Sequence, residues 1–197
     1  RYSNASDVAI APDGRHVYVS RQPEEIILVY QRNTITGALT LASTTAIREM
    51  RSSKGLPAPS PTCLIVSPDG RNVYAGCSRT VCILDRNSDS GKLTLRRMLQ
   101  TGDDGIVGLL GPFALACSSD GRHVYVSDTA AYSIFVFSRD LEHGDLQLAQ
   151  VLQDKRAGTP FGDANQPINE PIPGATFVDG LFFPQELAIT PDGSQVV

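Results

Sequence analysis

The chain alternates short apolar runs with tight polar breaks, and the order of runs and breaks recurs along it. Val8-Ala9-Ile10, Leu64-Ile65-Val66 and Leu115-Ala116-Cys117 are unbroken apolar triplets, the pattern of a strand covered on both faces. Each triplet is followed by a similar break: Ala11-Pro12-Asp13-Gly14, Ser67-Pro68-Asp69-Gly70 and Ser118-Ser119-Asp120-Gly121. Pro or Ser and then Asp suit the central positions of a type I turn, and Gly takes the left-handed position after it. Each break therefore predicts a tight hairpin. β-Branched and aromatic residues resume at once, as Val17-Tyr18-Val19, Val73-Tyr74 and Val124-Tyr125-Val126, and predict a second strand.

A third run presents one mostly apolar face. Ile26, Leu28 and Tyr30 correspond to Thr80, Cys82 and Leu84, and to Ser133, Phe135 and Phe137. The first of these positions is polar in two units, so the later two mark the face expected to be buried between sheets. An Arg follows (Arg32, Arg86, Arg139), then Asn or Asp, a turn Gly (Gly37, Gly91, Gly144) and a short fourth strand over 38–41, 92–95 and 145–148. A fourth unit begins at Glu186 with Thr190-Pro191-Asp192-Gly193 and breaks off at Val197.

Four hairpin-linked strands repeated along a chain are the blade of a β-propeller. The fold class predicted is all-β: a partial β-propeller of four-stranded antiparallel blades, seven-bladed when complete. Residues 1–197 form one partial propeller domain, with blades starting near 7, 62 and 113 and an incomplete fourth from 185. About three and a half blades leave sheet edges unpaired, and natural proteins cover such edges, so the native molecule is expected to extend beyond Val197 or to be completed by another chain. Length varies mainly in the connections 43–61, 99–112 and 154–184, which are rich in Gly, Pro and polar residues. The last of these is long enough to suggest a contact role.

Residues that obey the repeat are read as architecture. Arg32, Arg86 and Arg139 are expected to brace turn carbonyls or a neighbouring carboxylate, and Asp13, Asp69, Asp120 and Asp192 are turn formers first. A site needs residues that break the repeat, and no catalytic motif is recognisable. No catalytic, cofactor-binding or metal-binding residue is assigned, and no cofactor is expected.

Composition narrows the partners. The net charge is −4, without a basic run or aromatic–basic interleaving, which argues against nucleic acid. No apolar stretch approaches the ~20 residues of a membrane span. Four cysteines are present: Cys63 and Cys117 sit at first-strand positions as small hydrophobes, whereas Cys77 and Cys82 flank one hairpin loop and are the disulfide candidate. Their spacing lacks a second ligand pair for zinc. Asp103, Asp104 and either Asp163 or Asp179 could ligate calcium if loops converged, although no calcium-loop spacing is present. Asn4-Ala5-Ser6 is the one N-glycosylation sequon, with Asn4 the candidate acceptor.

The phrases Ser67-Pro68-Asp69-Gly70-Arg71-Asn72-Val73-Tyr74 and Ile134-Phe135-Val136-Phe137-Ser138-Arg139-Asp140 resemble the YVTN-type propeller repeats. More narrowly, they resemble those of the lactonase and carboxymuconate-cyclase propellers. Gly108-Leu109-Leu110-Gly111-Pro112 and Gly180-Leu181-Phe182-Phe183-Pro184 share that likeness. The resemblance implies a propeller through about three blades. It carries over no catalytic residue, because the matching motifs are blade architecture.

Three functions follow as expectations, since a fold does not name an activity. The leading one is a noncatalytic interaction or structural module, extracellular or at the cell surface, glycosylated, and not an enzyme. It would bind protein partners or further copies of itself through variable loops, 154–184 above all. The alternatives are a subunit of an extracellular filament or surface assembly, and a lactonase- or cycloisomerase-like enzyme. The enzyme would require a channel-mouth cluster of Arg, His and Glu that breaks the repeat.

Overall fold

The computed structural model describes residues 5–22, 24–49, 60–155, 171–181, 184–190 and 192–196. Blade 1 comprises β1 (Ala5–Ile10), β2 (His16–Arg21), β3 (Ile26–Arg32) and β4 (Leu39–Ala46). Blade 2 comprises β5 (Pro61–Val66), β6 (Asn72–Cys77), β7 (Thr80–Arg86) and β8 (Leu93–Gln100). Blade 3 comprises β9 (Pro112–Cys117), β10 (His123–Asp128), β11 (Ser133–Arg139) and β12 (Leu146–Asp154). Within each blade the strands pair antiparallel in chain order. The fold is therefore the all-β partial propeller that the repeat predicts, with a 3₁₀ turn at Ile47–Glu49 as the one helical element among the described residues.

The turn between first and second strands is the same in every unit. In blade 1 the Ala11 N–H donates to His16 O at 2.9 Å and Gly14 N–H donates to Ala11 O at 2.8 Å. Asp13 Oδ1 accepts the Arg15 N–H at 2.9 Å. Gly14, Gly70, Gly121 and Gly193 have φ of 67°, 70°, 71° and 71°, a conformation that costs an L side chain and not glycine. Ser119 in place of Pro leaves this geometry intact.

One departure concerns the long connection 154–184. Thr176–Val178 (β13) pairs parallel with Leu152–Asp154 and gives blade 3 a fifth strand. The side chain of Gln153 explains how it is held, donating to Ala131 O at 3.2 Å and accepting the Ile172 N–H at 2.8 Å. Ile172 is thereby seated in the core.

The blades pack face to face. Tyr18, Ile27 and Val29 of blade 1 meet Val73, Leu84 and Leu93 of blade 2. Tyr74, Ile83 and Leu99 of blade 2 meet Val124, Phe135 and Phe137 of blade 3. Leu84, Phe135, Phe137, Val17, Val73, Val124 and Val126 are buried as expected. Leu28, Tyr30 and Val19 are only half-buried, because they lie on the flank of blade 1 that no other described blade covers.

Each blade-to-blade contact is locked by the recurring Arg. From Arg86, Nη1 donates to Gly70 O of its own blade at 2.9 Å. Its Nε donates to Tyr18 Oη at 2.8 Å and its Nη2 to Asp13 Oδ2 at 2.7 Å, both in blade 1. Tyr18 Oη in turn donates to Gly91 O at 3.0 Å. Arg139 repeats the pattern on blade 2, with Tyr74 Oη at 2.6 Å, Asp69 Oδ2 at 2.8 Å, Asn72 Oδ1 at 2.8 Å and its own Gly121 O at 3.2 Å. Burial pushes the Asp69 carboxyl up, but donors from Ser67, Arg139 and Arg71 outweigh it and hold the group below the usual carboxylate range. Asp13 is lowered for the same reasons, with Arg15 and Arg86 as donors. The architectural reading of these Arg and Asp residues is correct.

Candidate active site at the channel mouth

β1, β5 and β9 stand side by side as the inner strands. With residues 185–187 of the fourth unit they wall a cleft of about 550 Å³. Topology puts all the Asp-Gly turns at one end of these strands and the long connections at the other. The strands therefore begin at the end where loops vary most.

Each inner strand carries a β-bulge at its start. Pairing slips between Ala5 and Asp7, between Pro61 and Cys63, and between Pro112 and Ala114. The extra residues are Ser6, Thr62 and Phe113, two hydroxyls and an aromatic ring at one position. A bulge bends the strand and re-aims a side chain, and bulges concentrate beside active sites. Thr62 Oγ1 lies 3.0 Å from Gly76 O and 2.8 Å from Pro112 O, so its hydroxyl ties blade 2 to blade 3. Phe113 leaves 46% of its surface exposed to the cleft region, high for a large apolar side chain.

The next position changes in every unit: Asp7, Cys63, Ala114 and Glu186. Asp7 Oδ1 accepts the Val8 N–H at 2.7 Å and Oδ2 accepts the Leu64 N–H at 2.8 Å, so this carboxylate pins blade 1 to blade 2. Burial pushes the Cys63 thiol up to about 12, which keeps it neutral and unsuited to nucleophilic attack. Glu186 is exposed on the cleft wall and makes no hydrogen bond or ion pair with another described residue. Its neighbour Gln185 adds an amide to the same wall.

A second repeat-breaking position supports the mouth from behind. Asp128, where the other blades have Arg21 and Cys77, is buried. Its carboxylate accepts N–H bonds from Leu110 at 2.7 Å, Gly111 at 2.8 Å and Ala131 at 2.7 Å. Burial nevertheless pushes this carboxyl up, against the pull of those donors. Asp128 thus fixes the segment that leads into β9 and positions Phe113.

The residues singled out from sequence fall elsewhere. Asn4 lies outside the described residues. Cys77 and Cys82 are buried free thiols with Sγ atoms 3.9 Å apart, about twice a disulfide bond length. Their hairpin loop is only Ser78-Arg79, and the register sets Cys77 opposite Thr80 and Cys82 opposite Ala75, so the thiols meet diagonally. Of the calcium candidates, Asp104 pairs with Arg97 and Asp179 with Lys155, while Asp163 lies outside the described residues. No group of three or more potential metal ligands gathers among the described residues. The mouth offers carboxylates, with no Arg or His among its described lining residues.

Asp7 and Glu186 were not singled out from sequence, although a signal existed. In the four aligned repeats they occupy a position filled by a different residue each time, Asp7, Cys63, Ala114 and Glu186. A repeat hides such a position because it spells no motif.

The family described as lactonase, 7-bladed β-propeller, matches residues 1–107 and 64–157. No curated protein matches the chain. Among solved structures, a protein assigned as a 6-phosphogluconolactonase from Bacteroides uniformis superposes with a TM-score of 0.67 at 17% identity, covering 98% of this chain and 46% of its own. The periplasmic gluconolactonase of Pseudomonas aeruginosa gives 0.64 at 21% identity, with the same two coverages. This chain thus spans less than half the length of these relatives, and at such identities the likeness shows the fold. The family match corrects the expectation of a noncatalytic module that is not an enzyme. It gives no support to the extracellular, glycosylated structural protein of that reading. The physical reason for the error is that blade-forming residues dominate the pattern, whereas candidate catalytic groups interrupt it.

Proposed function

The chain belongs to the lactonase family of seven-bladed β-propellers, and from that premise we propose that the complete protein hydrolyses a sugar lactone at the channel mouth. The observation that carries the reading is Glu186, a carboxylate without a hydrogen-bond or ion-pair partner among the described residues, on a cleft wall where every other blade has a different residue. A general base must be free to take a proton, and Asp7, with both oxygens holding backbone N–H groups, is less free to do so.

In this reading Glu186 accepts a proton from water as the water oxygen bonds to the lactone carbonyl carbon. The tetrahedral intermediate collapses with cleavage of the bond from that carbon to the ring oxygen, which takes up the proton and leaves as a hydroxyl. Gln185 and Ser6 are the neutral donors available on this wall for the carbonyl or the sugar hydroxyls. Phe113 offers an apolar platform for the C–H face of a sugar ring.

The charge of the wall favours an uncharged lactone over a phosphorylated one. Asp7 and Glu186 are both acidic, and no basic side chain stands among its described lining residues. Hydroxyls donate to such carboxylates, while a phosphate dianion within one Debye length (about 8 Å) is repelled by them. The test is a pH-stat comparison, using the full-length protein, of glucono-δ-lactone with its 6-phosphate against enzyme-free blanks. The uncharged lactone should have the higher kcat/KM. Turnover of neither would remove the hydrolase reading, and preference for the phosphate would remove the specificity.

A further inference from the structure

The end of blade 3 nearest the long connections carries a polar row of its own. Asp128 of β10 pairs with Ser133 of β11, which pairs with Gln153 of β12, so the three side chains share one face. All three are fully buried. The equivalent rows are Arg21, Ile26 and Ala46 in blade 1 and Cys77, Thr80 and Gln100 in blade 2. Neither combines a carboxylate with an amide.

The two ends of this row grip one residue from opposite sides. Asp128 Oδ1 accepts the Ala131 N–H at 2.7 Å, and Gln153 Nε2 donates to Ala131 O at 3.2 Å. Each also grips a different connection. Asp128 Oδ2 accepts the Leu110 and Gly111 N–H groups, in the connection 99–112. Gln153 Oε1 accepts the Ile172 N–H, in the connection 154–184. The two connections then meet each other. A Cβ on Gly108 would lie 2.8 Å from Ile172 Cγ1, and Ile172 shares its buried cluster with Ile106 and Leu109. The circuit thus closes, from Leu110 through Asp128, Ala131, Gln153 and Ile172 back to Gly108. A buried polar group that loses its partner is costly, so such a circuit holds one arrangement in preference to many.

Both connections feed the mouth. Leu110 and Gly111 lead into Pro112 and Phe113. Ile172 anchors the segment whose residues Thr176–Val178 pair with β12 and which precedes Gln185 and Glu186 in the chain. Phe113, Gln185 and Glu186 wall the same cleft. We propose that Asp128 and Gln153 are positioning residues, a clamp on Ala131 that holds the two connections as one unit. The clamp thereby fixes Phe113 and the Gln185–Glu186 wall relative to one another. Neither Asp128 nor Gln153 lines the cleft, so both act through the backbone they hold. The clamp stands on its geometry, and its bearing on catalysis rests on the lactonase reading above.

The test uses full-length protein, with backbone amide exchange measured beside pH-stat hydrolysis of glucono-δ-lactone well below the unfolding temperature. Asp128→Asn should speed exchange at the Ile172 N–H, which bonds to Gln153 and not to Asp128. Gln153→Met should speed exchange at Leu110 and Gly111, which bond to Asp128 and not to Gln153. Each variant should lose about 10-fold in lactone turnover, mostly in kcat, within the roughly 10²-fold that a misplacement of about 1 Å can cost. The double variant should lose no more than the worse single one, because either change opens the same circuit. Ile172→Ala, confined to a connection, makes the same test where a blade variant fails to fold. Exchange that rises only at each residue's own partners would overturn the clamp. A kcat within twofold of wild type, in variants whose exchange has risen, would overturn the positioning role. Wild type without turnover would instead remove the lactonase reading, and the exchange pattern alone would then decide the clamp.

Discussion

Arg139→Met probes how the blades are held. Met keeps most of the buried stem and removes the guanidinium, whose side chain is fully covered. Four acceptors then lose a donor: Tyr74 Oη, Asn72 Oδ1, Asp69 Oδ2 and Gly121 O. The losses are unequal. Tyr74 keeps its bond to Gly144 O at 2.8 Å, and Asp69, with 31% of its side chain exposed, keeps Ser67 and Arg71 as donors and can take up water. Asn72 Oδ1 and Gly121 O are the acceptors left buried. Removing one partner of a buried charged pair costs about 3–5 kcal/mol, and the exposure of Asp69 places this case at about 3. For a domain near this size that corresponds to a fall in Tm of roughly 6–12 °C, less if the full-length ring is cooperative. The assay is urea unfolding of Arg139→Met, Asp69→Asn and the double variant. A positive coupling of about 1–2 kcal/mol is expected for groups in direct contact. A loss below about 0.5 kcal/mol for Arg139→Met, the range of ordinary surface substitutions, would show that apolar packing alone sets the contact.

Two further outcomes follow from the titrating groups. Asp13 and Asp69 have folded pKa values below the ordinary 3.8, so their stabilisation is fully present above that value and is lost as pH falls through the lower folded values. Urea midpoints should therefore drop steeply below about pH 4, and the drop should shrink in Asp13→Asn/Asp69→Asn; an unchanged slope would discount both pairs. Cys63, with its thiol at about 12, and Cys117, at about 11, are held neutral chiefly by burial. Native protein at pH 8 should resist alkylation at both positions until denatured, as read by peptide mass mapping, and rapid native labelling of Cys63 would contradict its burial.

Local chemistry made most of the fold legible. Asp-Gly turns, β-branched second strands and an Arg before the third hairpin of each blade recur often enough for one blade to explain the next. Even the bracing role of Arg86 and Arg139 follows from their obeying the repeat. Non-local geometry was not legible. β13 pairs with a strand more than twenty residues away in sequence because Gln153 seats Ile172, and no pattern in Thr176–Val178 announces a parallel partner. Leu28 and Tyr30 have core chemistry and lie half-buried because burial on that flank depends on a neighbouring blade. The candidate site was hidden for the opposite reason to the fold. Asp7 and Glu186 acquire meaning only when the four repeats are set side by side, and a linear reading treats each as one more variable residue.

Glu186→Gln in the full-length protein tests the central claim most directly. The substitution preserves shape and removes the charge of a side chain that bonds to no other described residue, so the unfolding midpoint should not move. Hydrolysis of glucono-δ-lactone, followed by pH-stat above an enzyme-free blank, should lose about 10²–10⁴-fold in kcat, the contribution of a positioned general base. Turnover within twofold of wild type would contradict the assignment of Glu186, and a wild-type protein with no turnover above the blank would contradict the channel mouth as a hydrolase site.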